Sequence, residues 1–132
     1  MEKKFDFVKS CVLEMGFDII SENPDEEIII ISDEESSISN LVIDCEDTIL
    51  VMEQVIMSVP QKNKDNVYKR LLQMNREIVH GAFALNKEEN LIIFRDTLQI
   101  ENLDRNEVEG SIRSLELALS EYGSELIQFS KN

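Results

Sequence analysis

Between Thr48 and Val59 the chain runs through twelve residues that contain a single charge, Glu53, and Pro60 closes the run. Its β-branched residues favour a strand, because stiff side chains suit a pleated surface. Side chains of a strand alternate between its faces. One face would then carry Ile49, Val51, Val55, Met57 and Val59, and the other Leu50, Met52 and Ile56. A strand with one wet face should alternate apolar with polar residues. This one does not, so either it is central and covered on both sides, or one face is kept for a partner. A chain of 132 residues has room for about one core. The expected organisation is therefore a single domain, residues 1–132, built around this strand.

The flanking segments supply what such a strand needs. Phe5, Val8, Val12 and Met15 recur at three- and four-residue steps, predicting a helix that Gly16 stops. Phe17–Ser21 reads as a short strand and Glu22–Asp25 as a turn. Ile28–Ile31 is a pure β-branched run, Asp33–Ser37 a polar turn, and Leu41–Ile43 a strand joined to the next through Asp44–Asp47. Beyond Pro60, Asp65 or Asn66 can cap a helix with Val67, Leu71, Met74 and Ile78 on one face. Ala82–Leu85 and Leu91–Ile100 predict a hairpin around Asn86–Asn90. Asp104 with Glu107 forms a capping box, and Leu103 can staple onto Val108. Val108, Ile112, Leu115, Leu119, Tyr122 and Leu126 then continue the last apolar stripe, with a weak point expected near Gly123. The order is α-β-β-β-β-α-β-β-α. Most connections between strands are too short for parallel crossovers, so the fold class is α+β with an antiparallel sheet and helices packed on it.

Charge narrows the function. The net charge is −14, and Ser10–Gln61 holds 13 acidic residues with no lysine or arginine. Phosphate backbones and anionic membrane surfaces require basic patches, so neither nucleic acid nor membrane is an expected partner. From Lys62 to His80 the sign reverses, with five basic residues against Asp65 and Glu77. The acidic part is either a solvated surface or a face for something cationic. The start of the chain lacks the apolar stretch of a signal peptide, no run approaches the ~18 apolar residues of a membrane helix, and the expected location is the cytoplasm.

No catalytic constellation emerges. His80 is the only histidine and has neither a nucleophile motif nor a second ligand near it in sequence, so a small enzyme using His80 is the least favoured reading. Cys11, Cys45 and His80 lack zinc spacing, and the two cysteines read as reduced, buried small hydrophobes. The carboxylates of Asp25–Glu27 and Asp33–Glu35 lack the alternation and central glycine of a calcium loop. Four scattered glycines make no phosphate cradle. Arg95 and Asp96 are candidates for a surface ion pair. No cofactor is expected.

The stretch from Val67 to Phe129 carries a resemblance. Leu71–Glu77, then Gly81–Leu85, then Leu91–Leu98, then a long amphipathic helix, is similar to the C-terminal half of the YbjN family. It is equally similar to the class I type III secretion chaperones, the Tir-chaperone group. The motif covers half the chain, and element order, length and acidity extend the likeness to all of it. The resemblance implies a non-catalytic, usually dimeric fold that holds extended segments of a partner against its sheet and first helix. On that reading Val51, Met52, Glu53 and Met57 are the candidate partner-binding residues, the methionines offering an adaptable surface where they are not simply core. Tyr68, Leu71, Leu72 and Asn75 are the candidate dimer contact. A small regulatory partner in signalling or envelope stress is the alternative role, and the client is not identified by the sequence.

Overall fold

A computed structural model describes residues 3–131. The elements are α1 (Lys4–Glu14), β1 (Asp18–Asn23), β2 (Ile28–Ser32), β3 (Leu41–Cys45), β4 (Ile49–Ser58), α2 (Lys64–Glu77), β5 (Ala82–Leu85), β6 (Leu91–Gln99) and α3 (Arg105–Ser130). The six strands form one sheet in the order β1-β2-β3-β4-β6-β5, and every pairing is antiparallel. The expected α+β order is therefore the observed one.

Local chemistry explains the boundaries. Gly16 ends α1 at φ 90°, a backbone region that glycine enters without steric cost. The capping box of α3 is formed, with the Asp104 carboxylate accepting from Glu107 N–H and the Glu107 carboxylate accepting from Asp104 N–H. Leu103 and Val108 are both buried beside it. The helix then runs unbroken through Gly123 to Ser130. At α2 the expectation fails: the helix starts at Lys64, its N-cap is Asn63 in a left-handed conformation, and no side chain caps it. Asn63 tolerates that conformation better than most residues, and its carbonyl opens the helix by accepting from Val67 N–H. β1 and β3 each run two residues further than their patterns suggest. Asp44 and Cys45 belong to β3, so the turn into β4 falls at Glu46–Thr48. The turn after β1 is made by Asn23, whose side-chain oxygen accepts from Asp25 and Glu26 N–H.

One apolar core joins the layers. Phe5, Val8, Cys11 and Val12 of α1, Val67, Leu71 and Met74 of α2, and Val108, Ile112, Leu115, Ala118, Tyr122 and Leu126 of α3 pack with Ile29, Ile31, Leu41, Ile43, Leu50, Met52, Phe83, Ile92 and Phe94 of the sheet. Arg70 of α2 donates from Nε to Glu125 of α3 at 2.6 Å, and Arg105 of α3 pairs with Glu14 of α1. All three helices therefore lie on one side of the sheet.

Candidate functional site

Alternation sorts each strand into a helix side and an open side. Across the sheet, Ile43 pairs with Met52 and Met52 with Asp96, while Leu41 and Phe94 lie on the same side. On the opposite side Ile30 pairs with Val42, Val42 with Glu53, and Glu53 with Arg95. Next to this row Val55 pairs with Ile93 and Ile93 with Ala84. None of Ile28, Ile30, Val42, Val51, Val55 or Ile93 belongs to the core cluster. They stand on the face that no helix covers: Val55 is 55% exposed, Ile28, Ile30 and Val42 are half-buried, and Val51 and Ile93 are buried among their strand neighbours.

The four candidate partner-binding residues are therefore split. Val51 and Glu53 stand on the open face. Met52 is 3% exposed and part of the core. Met57 is half-buried against the core, although simple alternation puts it on the same face as Val55. The cause is a β-bulge: Val55 pairs with Ile93 but Met57 pairs with Ile92, so Ile56 is the extra residue and the faces exchange beyond it. Both methionines thus serve the helix side.

Polar residues share the open face, with Ser21, Ser32 and Asp44 toward the β1 edge and Glu53, Arg95 and Thr97 at its centre. Arg95 donates from Nη1 to Glu53 Oε2 at 2.6 Å. The expected pair of Arg95 with Asp96 does not form, because neighbours on a strand point to opposite faces. Asp96 lies on the helix side and accepts from the Ser111 hydroxyl of α3 at 2.7 Å. The Asp44 carboxyl is raised above the ordinary range by burial first and then by the charge of Glu46. Behind it the Cys45 thiol is pushed up to about 11 by burial and by the charges of Glu27 and Asp44. That keeps it protonated and unreactive near neutral pH. Cys11 and Cys45 are both buried.

The candidate dimer residues meet at the far edge of the sheet. Asn75 of α2 reaches the outer edge of β5, donating from Nδ2 to the Phe83 carbonyl at 3.0 Å and accepting at Oδ1 from Phe83 N–H at 2.7 Å. One side chain thereby satisfies both free backbone groups of Phe83, as a paired strand would. Beside it Tyr68, Leu71, Leu72, Phe83, Leu85 and Ile92 line an apolar groove of about 180 Å³. Leu72 is 70% exposed. The sequence pattern locates this helix face; the edge-sealing role of Asn75 has no local signal, because it depends on a strand eight residues away. The β1 edge has a different surface, with every residue but Ile19 exposed.

His80 is exposed, and its backbone rather than its ring is held: Ser114 Oγ accepts from His80 N–H and donates to His80 O. Among the described residues no cluster of three or more His, Cys, Asp or Glu is arranged to hold a metal ion. No helix among them is long and apolar enough to cross a membrane. The CesT_Tir_1 family profile matches residues 1–132. The chain belongs to the CesT_Tir_1 family. Among curated proteins none matches. Solved structures share the fold of this CesT_Tir_1 chain, two of them as follows. YbjN of E. coli, proposed to be a transcription regulator, superposes with a TM-score of 0.67 at 11% identity, covering 91% of each chain. The type III secretion chaperone SycH of Yersinia pestis, solved in complex with a stable fragment of YscM2, superposes with a TM-score of 0.55 at 12% identity, covering 97% of this chain and 100% of its own. At these identities the likeness establishes the architecture, a secretion-chaperone-like sheet with three helices.

Proposed function

We propose that this CesT_Tir_1 chain is a non-catalytic protein-binding module that holds an extended segment of a partner protein on the open face of its sheet. The observation that carries this reading is the row of apolar side chains, exposed Val55 with half-buried Ile28, Ile30 and Val42, on a face without a helix. An antiparallel sheet facing water is ordinarily polar there, and an apolar patch of this kind marks an interaction surface. Glu53 is neutralised by Arg95, and the carboxylates of Asp44, Glu46 and Glu27 grouped beyond it favour a segment that carries basic as well as apolar residues. SycH was solved with a fragment of another protein, which agrees in kind. Two copies associate through Tyr68, Leu71, Leu72 and Asn75, at the apolar groove beside the β5 edge that Asn75 seals. A regulatory partner role is the second reading, favoured by the fold shared with YbjN; the net charge of −14 makes direct nucleic-acid binding its least suitable form.

The test is an affinity capture from the native host, comparing the natural chain with Val55→Asp combined with Ile30→Ser. Circular dichroism would verify that the double variant is folded. One dominant partner, lost from the folded variant, supports the reading; a partner retained by it places binding elsewhere. Sedimentation at micromolar concentration checks the dimer, and a monomer there would refute it.

A further inference from the structure

A second cleft lies on the helix side, between α3 and the extended segment that follows α2. Ile78 leaves α2 at φ −87° and ψ 129°, and the Ser114 grip on His80 holds the segment against α3. The cleft has a volume of about 340 Å³. Val79 and Leu117 stand at its mouth, 84% and 69% exposed. Ala118 and Tyr122 form part of its wall. A solvent-facing valine and leucine that converge on one cleft, rather than lying scattered, make a patch rather than ordinary surface.

Its charge is one-sided. Glu77 and Glu121 line it, and neither has an ion-pair partner among the described residues. His80 also lines it, and Arg113, its one arginine, donates to Glu116 at 3.1 Å. Both carboxylates act on Tyr122, whose hydroxyl is raised above its ordinary value by burial first and then by Glu121 and Glu77. An apolar cleft with two uncompensated carboxylates matches an apolar side chain flanked by lysine or arginine, and desolvates badly against an acidic neighbour.

We infer that this cleft is a second docking site, taking a leucine-like anchor flanked by basic residues from a partner protein. The inference rests on the protein-binding reading above but on a different surface. The cleft and the open face are on opposite sides of the sheet, so one partner long enough to wrap around the edge, or two partners, can engage both.

The test uses a blocked six-residue peptide, Gly-Lys-Leu-Leu-Lys-Gly, and its Glu-for-Lys counterpart, titrated into the full ¹⁵N-labelled chain. Saturable amide shifts centred on Val79, His80, Leu117 and Glu121 are expected with the lysine peptide, at least tenfold weaker with the glutamate peptide. Leu117→Glu and, separately, Glu77→Gln with Glu121→Gln should each weaken the lysine peptide about fivefold or more. Both sites are exposed, so the variants should fold. Shifts centred on Val51, Val55 and Ile93 would overturn the cleft while leaving the protein-binding reading intact. Equal binding of both peptides, affinity unchanged in the variants, or no binding at all would also overturn it. So would cleft shifts that grow with protein concentration alone, since a second copy would then be the occupant. The open-face reading fails separately, through the capture experiment with Val55→Asp and Ile30→Ser.

Discussion

Val51 and Met52 are neighbours in one strand, both apolar and both nearly inaccessible, yet they belong to opposite worlds. Met52 sits under α3 with Leu41, Phe94 and Ile112 around it, while Val51 is outside the core cluster and lies between Asp44 and Thr97 of the flanking strands. The helix side is filled by three helices and has its polar groups paired: Gln54 accepts from Ser39 N–H and donates to the Ser37 carbonyl, and Ser111 donates to Asp96. The open side has apolar side chains too, but no helix over them. Burial alone therefore does not tell a core residue from an interface residue. What distinguishes them is whether other elements of the same chain supply the contacts.

The largest effect tests that difference directly. Met52→Asp should cost more than about 4 kcal/mol and unfold the chain, since it buries an unpaired charge. Val55→Asp on the open face should cost less than about 1 kcal/mol in urea unfolding. Equal costs would mean that the open face is part of the folding core. Gly81 comes next. It holds φ 83°, and an added Cβ would lie 2.5 Å from Cε1 of the buried Phe94. Gly81→Ala should therefore cost about 3 kcal/mol, combining backbone strain with overpacking. A near-neutral result would show that the helix side can repack around Phe94.

Asn75→Ala sharpens the comparison at the sheet edge. Losing both hydrogen bonds to Phe83 should cost about 2 kcal/mol in thermal or urea unfolding, with a rise in self-association as the β5 edge opens. If stability is unchanged, water replaces the side chain and the edge was never sealed. The smallest effect is alkaline. The Cys45 thiol is on the helix side, but the Asp44 and Glu27 charges help hold it near 11, above the ordinary 9.0. The unfolded chain ionises first as pH rises, so the stability contribution is complete below pH 9 and is lost between about pH 9 and 11. A pH series of urea midpoints should fall across that window for the natural chain and flatten in Cys45→Val. A thiol reagent should label native Cys45 slowly at pH 8, and rapid labelling would contradict the burial.

The kinds and order of the elements were legible without any structure. Ile28–Ile31 is stiff and β-branched, the α3 stripe repeats at 3.6 residues, and Asp104 with Glu107 caps it; each signal acts over a few residues and survives in the fold. The same holds for the α2 face that carries Tyr68, Leu71, Leu72 and Asn75, which the structure gathers at one groove. The face of β4 was not legible in the same way. Periodicity showed two apolar sides and could not say which would be covered, because that depends on where helices distant in sequence pack. The bulge at Ile56 is a backbone feature of one pairing, between β4 and β6, and it alone moved Met57 from the expected open side to the core. The cleft beside Leu117 was equally silent, since Val79 and Leu117 are 38 positions apart and meet only when Ser114 fastens the His80 backbone to α3. Local sequence thus determined what this chain is made of, through interactions that reach one turn or one strand. Tertiary packing decided which apolar surface became core and which stayed open, because burial is a property of how distant segments meet.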